Sequence, residues 1–196
     1  MNTDASALST GIEEIDQLIG GLQQGDNVVW EVDSGAPVDV FVRGAFRATR
    51  ELDRPLIYVS LNRSPHAVLQ RYGDFLPEEF YLLDCFTAGK GVDDRVFSDF
   101  YDTEADEGEP AAIRRCESPD PDHISSALEE LESDAGPNPY YVFDSITGML
   151  ELWDTERAAL NFFAHMCPRL YDLDTIAYWI LEHEAHTEQF LANLRH

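Results

Sequence analysis

The sequence predicts an α/β fold with a mostly parallel central sheet and helices on both faces. Short runs rich in apolar, β-branched and aromatic residues recur at 27–32, 55–61, 79–85, 140–144 and 175–181. Stretches with helical apolar spacing separate them. With 196 residues, 44% of them hydrophobic and including 11 Phe, 8 Tyr and 3 Trp, the chain can bury a full sheet-and-helix core. One domain spanning 1–196 is expected. Alternating strands and helices imply parallel pairing, and right-handed crossovers then gather the functional loops at the sheet's C-terminal edge.

In chain order, Thr10-Gly11-Ile12-Glu13 reads as a capping box opening a short helix. Ile12, Ile15, Ile19 and Leu22 fall on one face of it, and Gly20-Gly21 end it. Gly25 turns the chain into the strand Asn27–Val32. Positions 38, 41, 42, 45, 46 and 49 give a helix over 38–50 that lies on the sheet. The strand at 55–61 leads to a short helix, Pro65–Tyr72, and then to the strand at 79–85. An acidic, proline-bearing stretch at 101–122 reads as a surface loop. Helices are expected at 122–132, 156–171 and 184–194, interleaved with the strands at 140–144 and 175–181.

Charge narrows the function. There are 38 Asp and Glu against 13 Lys and Arg, a formal charge of −25, and the only lysine is Lys90. Such a chain repels a phosphate backbone, so nucleic acid is not an expected partner, and Arg114-Arg115 is too short a patch to change that. An acidic coat suits high salt, which points to a halophilic cytoplasm; an acidic interaction surface is the alternative. Cys85, Cys116 and Cys167 share no metal-ligand spacing and fit a reducing cytosol. Met1-Asn2-Thr3-Asp4 has no basic region, and no apolar run approaches the ~20 residues of a membrane span. The expected localisation is cytoplasmic, with no membrane partner.

The stretch 26–40 has the order strand, tight loop, helix start. A phosphate cradle at such a place needs Gly-x-x-x-x-Gly-Lys-Ser/Thr, with backbone N–H groups, a lysine and a magnesium-binding hydroxyl. Here the eight positions are Asp33, Ser34, Gly35, Ala36, Pro37, Val38, Asp39 and Val40. Asp33 and Val38 stand at the glycines, Asp39 at the lysine and Val40 at the hydroxyl. A carboxylate facing a phosphate disfavours binding.

Several stretches together resemble the KaiC-like branch of the RecA superfamily of P-loop ATPases. They are Ser9-Thr10-Gly11-Ile12, Ile15 to Gly21, Gln24-Gly25, Tyr58-Val59-Ser60, Asp84-Cys85-Phe86-Thr87 and Tyr141 to Gly148, the last similar to a Walker B strand and its following turn. The resemblance implies a RecA-like three-layer sandwich with degenerate nucleotide motifs. It places Asp144 at the magnesium-ligand position, where the alternative role is a turn or helix cap. It places Asn62 and Arg63 where relatives carry the glutamate pair that activates water, so the general base is missing. No catalytic residue and no cofactor are expected. The family's domain continues with further strands beyond this chain's last residues; a shortened sheet or a segment of a longer polypeptide is expected, not a family-style hexamer.

The expected function is a catalytically inactive pseudo-ATPase, regulatory or scaffolding, in signalling or transcription control. Its partner would be another protein, an active family member among the candidates. One alternative is an ATP- and magnesium-binding protein using Lys90, between Gly89 and Gly91, together with Asp144. Another is a recombination-type DNA-binding accessory, against which the charge argues. Glu182-His183-Glu184-Ala185-His186 lacks zincin spacing and further ligands, so no metal is expected. Leu150, Leu152, Trp153, Phe162, Phe163, Met166 and Leu170 read as core packing or as a partner-binding patch.

Overall fold

A computed structural model describes residues 7–89, 112–153 and 155–195. Among them are strands β1 (Asn27–Val32), β2 (Leu56–Ser60), β3 (Phe80–Asp84), β4 (Ala112–Arg115), β5 (Tyr140–Asp144) and β6 (Ile176–Glu182). The helices are α1 (Glu13–Ile19), α2 (Asp39–Leu52), α3 (Pro65–Tyr72), α4 (Phe86–Gly89), α5 (Pro121–Ala135), α6 (Ile146–Trp153), α7 (Glu156–Asp172) and α8 (Glu188–Leu194). The strands make one sheet in the order β1-β6-β5-β2-β3-β4, and every pairing is parallel.

β2 and β5 lie at the centre and are buried at every position. That explains their unbroken apolar runs, because a strand covered on both faces has no polar side to alternate. On one face Tyr58, Val142 and Tyr178 pack against Val42 and Phe46 of α2 and Val68 and Tyr72 of α3. On the other, Val59, Phe143 and Trp179 meet Leu128 of α5, Met149 of α6, Met166 of α7 and Phe190 of α8. The result is the RecA-like three-layer α/β sandwich predicted from the sequence. Because β6 lies between β1 and β5, the loop after β6 is flanked by the loops after those two strands.

The structure corrects several local expectations. Ile12, not Thr10, is the N-cap of α1, and it makes no side-chain cap bond. Asp16 reaches back instead, accepting from the Thr10 N–H at 2.7 Å and the Ser9 hydroxyl. Ile19 is 53% exposed. Gly20 (φ 83°) ends the helix before Leu22, which leaves the helical register to form a backbone bridge with Leu8. Part of the expected 101–122 loop is ordered as β4, a short strand paired to β3, while 101–111 lie outside the described residues. The turn after Asp144 is a full helix, α6. The helix expected at 184–194 is split: a 3-10 turn, His183–Ala185, precedes α8, because Thr187 caps α8 by accepting from the Phe190 N–H. The apolar cluster of Trp153, Phe162, Phe163, Met166 and Leu170 packs within the core of that face. No helix among the described residues is long and apolar enough to cross a membrane.

Candidate functional site

Parallel strands bring the ends of β1, β2, β3, β5 and β6 to one edge, so the residues singled out in the sequence converge there. The segment from Asp33 to Val38 joins β1 to α2 as expected, and several of its N–H groups are taken up by the chain itself. Ala36 N–H donates to the Asp33 carbonyl (2.9 Å), Val38 N–H to Ala36 (2.8 Å) and Val40 N–H to Pro37 (3.1 Å). Pro37 has no N–H to offer. The Ser34 N–H donates to the Glu184 carboxylate at 2.9 Å. A side chain from the loop after β6 thus supplies the anionic oxygen to this turn.

Asp39, the first residue of α2, sits where its carboxylate favours the helix dipole. Its Oδ1 accepts from Arg71 Nε at 2.6 Å and from the Tyr72 hydroxyl at 3.0 Å, both on α3. Partial burial raises the Asp39 carboxyl, but the hydrogen bonds from Arg71 and Tyr72 outweigh it, leaving a pKa below the ordinary carboxylate value. Val40 is 48% exposed and brings no polar group.

At the sheet's centre Asp144 is 2% exposed. Its Oδ2 accepts from the Tyr58 hydroxyl and from Arg63 Nε at 3.2 Å. Burial, and then the Asp144 charge, push the Tyr58 phenol well above its usual pKa, so it stays a donor. Burial lowers the Arg63 guanidinium, but the Asp144 charge, the neighbouring Tyr58 and Tyr72 and the hydrogen bond to Asp144 together leave its pKa above the ordinary value. Arg63 thus places a cation on the buried Asp144 carboxylate. Asn62 donates to the Ser145 hydroxyl at 3.3 Å, and that oxygen accepts from the Gly148 N–H at 3.0 Å, tying β2 to the start of α6. The capping role at the end of β5 therefore falls to Ser145, not to the Asp144 side chain.

In the loop after β6, His186 Nε2 lies 3.0 Å from the Thr147 hydroxyl and its ring stacks on Phe190. Burial holds the His186 imidazole below its usual pKa. No group of three or more metal-ligating side chains occurs among the described residues. Lys90 lies outside them. A cleft of about 520 Å³, lined by Ser125, Asn161, Phe162 and His165 among others, lies between α5 and α7 and contains none of these site residues. The sequence gives no sign of the roles of Arg71 and Tyr72, and it singles out Glu184 and Tyr58 only as members of a histidine-bearing stretch and of a strand end.

No protein-family model matches the sequence, and no curated protein matches it either. Among solved structures, the chain is similar to a KaiC-like protein from the hyperthermophilic archaeon Pyrococcus horikoshii OT3. The TM-score is 0.59 at 16% identity, covering 90% of this chain and 70% of that one. At that identity the likeness concerns the fold.

Proposed function

We propose that this chain is a RecA-fold pseudo-ATPase, a regulatory or scaffolding protein that has exchanged nucleotide chemistry for protein binding in signalling or transcription control. One observation supports the reading above the others: the chain's own side chains take up the groups that MgATP would use. Arg63 gives Asp144 the positive charge a magnesium ion would give. Glu184 gives the Ser34 N–H the anionic oxygen a phosphate would give. Asp39, paired to Arg71, holds negative charge at the lysine position. A triphosphate would have to displace Glu184 and approach Asp39, and it would find no lysine at position 39, no hydroxyl at position 40 and no carboxylate at positions 62 and 63.

Calorimetric titration with MgATP in molar potassium chloride tests this. No saturable heat is expected up to millimolar nucleotide. Micromolar binding would overturn the proposal, and its loss in Lys90→Ala would establish an unorthodox site using Lys90. The expected partner is a protein. Affinity capture from the native lysate should return a reproducible one, and none would count against the regulatory role.

A further inference from the structure

Among the described residues the sheet ends in two edge strands, β4 and β1, and they are built differently. β4 has four residues and carries Arg114, which pairs with Glu130 and Asp134. Short, charged strands blunt an edge. β1 has six residues, Asn-Val-Val-Trp-Glu-Val, with no proline, glycine, lysine or bulge, and among the described residues it pairs with β6 alone. Five of its six positions retain at least partial exposure, although it belongs to a sheet whose central strands are fully buried.

The register fixes which groups face outward. Ala177 N–H donates to the Asp26 carbonyl at 3.0 Å, so alternate residues Val28, Trp30 and Val32 turn their main-chain groups to β6. The main-chain groups of Asn27, Val29 and Glu31 then face away from the sheet.

We propose that two copies of this chain join edge to edge through β1, antiparallel about a two-fold axis at Val29. This pairing is self-complementary, as a two-fold contact must be. Val29 exchanges both hydrogen bonds with its own copy, and Asn27 exchanges them with the partner's Glu31. Between them Val28 meets the partner's Trp30, the aromatic and β-branched type of cross-strand pair that stabilises antiparallel ribbons. Trp30 already stacks on Phe41 with ring centroids 4.4 Å apart, so the new pair extends an existing apolar cluster. Charge selects the same axis. Each Glu31 is neutralised by a two-pronged pair with Arg195 of its own chain and faces an asparagine. Centring the axis on Glu31 would set two glutamates opposite each other. The inference rests on the fold and is independent of nucleotide binding.

Sedimentation equilibrium in molar potassium chloride tests it. The wild type should reach twice its 22.2 kDa mass, and dissociate more readily as salt is lowered, because each copy carries a charge of −25. Val29→Pro removes an N–H that points away from β6. An edge strand tolerates that change, while the central bonds of the dimer are lost. The variant should keep the wild-type circular dichroism and bind its copy at least about tenfold more weakly. A wild type that stays monomeric at every concentration, or a folded variant that dimerises like the wild type, overturns the proposal. Should Val29→Pro unfold, amide exchange in the wild type decides. The Asn27, Val29 and Glu31 amides should be protected only in concentrated solution; equal rates at high and low concentration overturn it, and slow exchange in both would mean that the chain's own residues cover this edge.

Discussion

Asp144 keeps its carboxylate at 2% exposure by accepting from a fully buried phenol and a partly exposed guanidinium. Removing Arg63 leaves that charge with one donor in a dry site. Because the Arg63 side chain is 30% exposed, Arg63→Ala should cost roughly 2 kcal/mol in urea unfolding, between the values for exposed and fully buried pairs. Tyr58→Phe should cost about 1–2 kcal/mol, the loss of a charge-assisted bond. Arg71→Ala breaks a pair whose side chains are 42% and 25% exposed, and should cost less than about 1 kcal/mol. Equal losses in Arg63→Ala and Arg71→Ala would contradict this ranking.

Asp120 offers a pH test away from the site. Hydrogen bonds from Ser118 and His123 lower its pKa to about 2 as it caps α5. A carboxyl whose folded pKa is depressed contributes stability above its unfolded pKa, near about 4, and loses it as pH falls through the folded value. The stability difference between wild type and Asp120→Asn should therefore be constant above about pH 5 and shrink from there towards pH 2. Urea midpoints measured across that range check it; a difference that grows on acidification would be wrong in sign.

At the scale of elements, the N-terminal segment is fastened to α2 by close backbone approach. A Cβ on Gly11 (φ 77°) would lie 1.9 Å from the Gly44 carbonyl oxygen. Nearby, Arg47 donates to the Gly11 carbonyl and Tyr178 to that of Thr10. Gly11→Ala should cost well over about 2 kcal/mol, combining a clash with backbone strain. Gly20 has a similar φ of 83° but nothing within 4 Å of its Cβ site, so Gly20→Ala should cost only about 1 kcal/mol. Paired thermal denaturation measures the gap between them.

Elements were legible wherever pattern and neighbours agreed. β1 and α3 are legible residue for residue, one as a strand around Val28-Val29-Trp30 after a glycine turn, the other as a short helix opening on Pro65. β4 was hidden because Ala-Ile-Arg-Arg is short, sits at an edge and is embedded in acidic sequence. α6 was hidden because Ile-Thr-Gly-Met-Leu-Glu-Leu-Trp carries an internal glycine. That glycine fits a close crossing, where a Cβ would lie 3.1 Å from Leu61 and Asn62.

For the whole molecule, strand order decides what local pattern does not carry. Asp39, Val40, Asn62, Arg63 and Asp144 are legible in the sequence because each follows or ends a recognisable strand. Their partners are not. Ser34 and Glu184 are 150 residues apart and meet because β6 inserts beside β1. A net charge of −25 acts on the molecule as a unit. Thermal stability should rise steadily with potassium chloride through the range where screening of self-repulsion dominates.

The most direct measurement is a structure determined from crystals grown with magnesium and a non-hydrolysable ATP analogue in high salt. Expected is Glu184 still on the Ser34 N–H and Arg63 still on Asp144, with no nucleotide between them. Ordered phosphates in the turn from Asp33 to Val40, with Glu184 and Arg63 displaced, would contradict the reading of this edge as self-occupied.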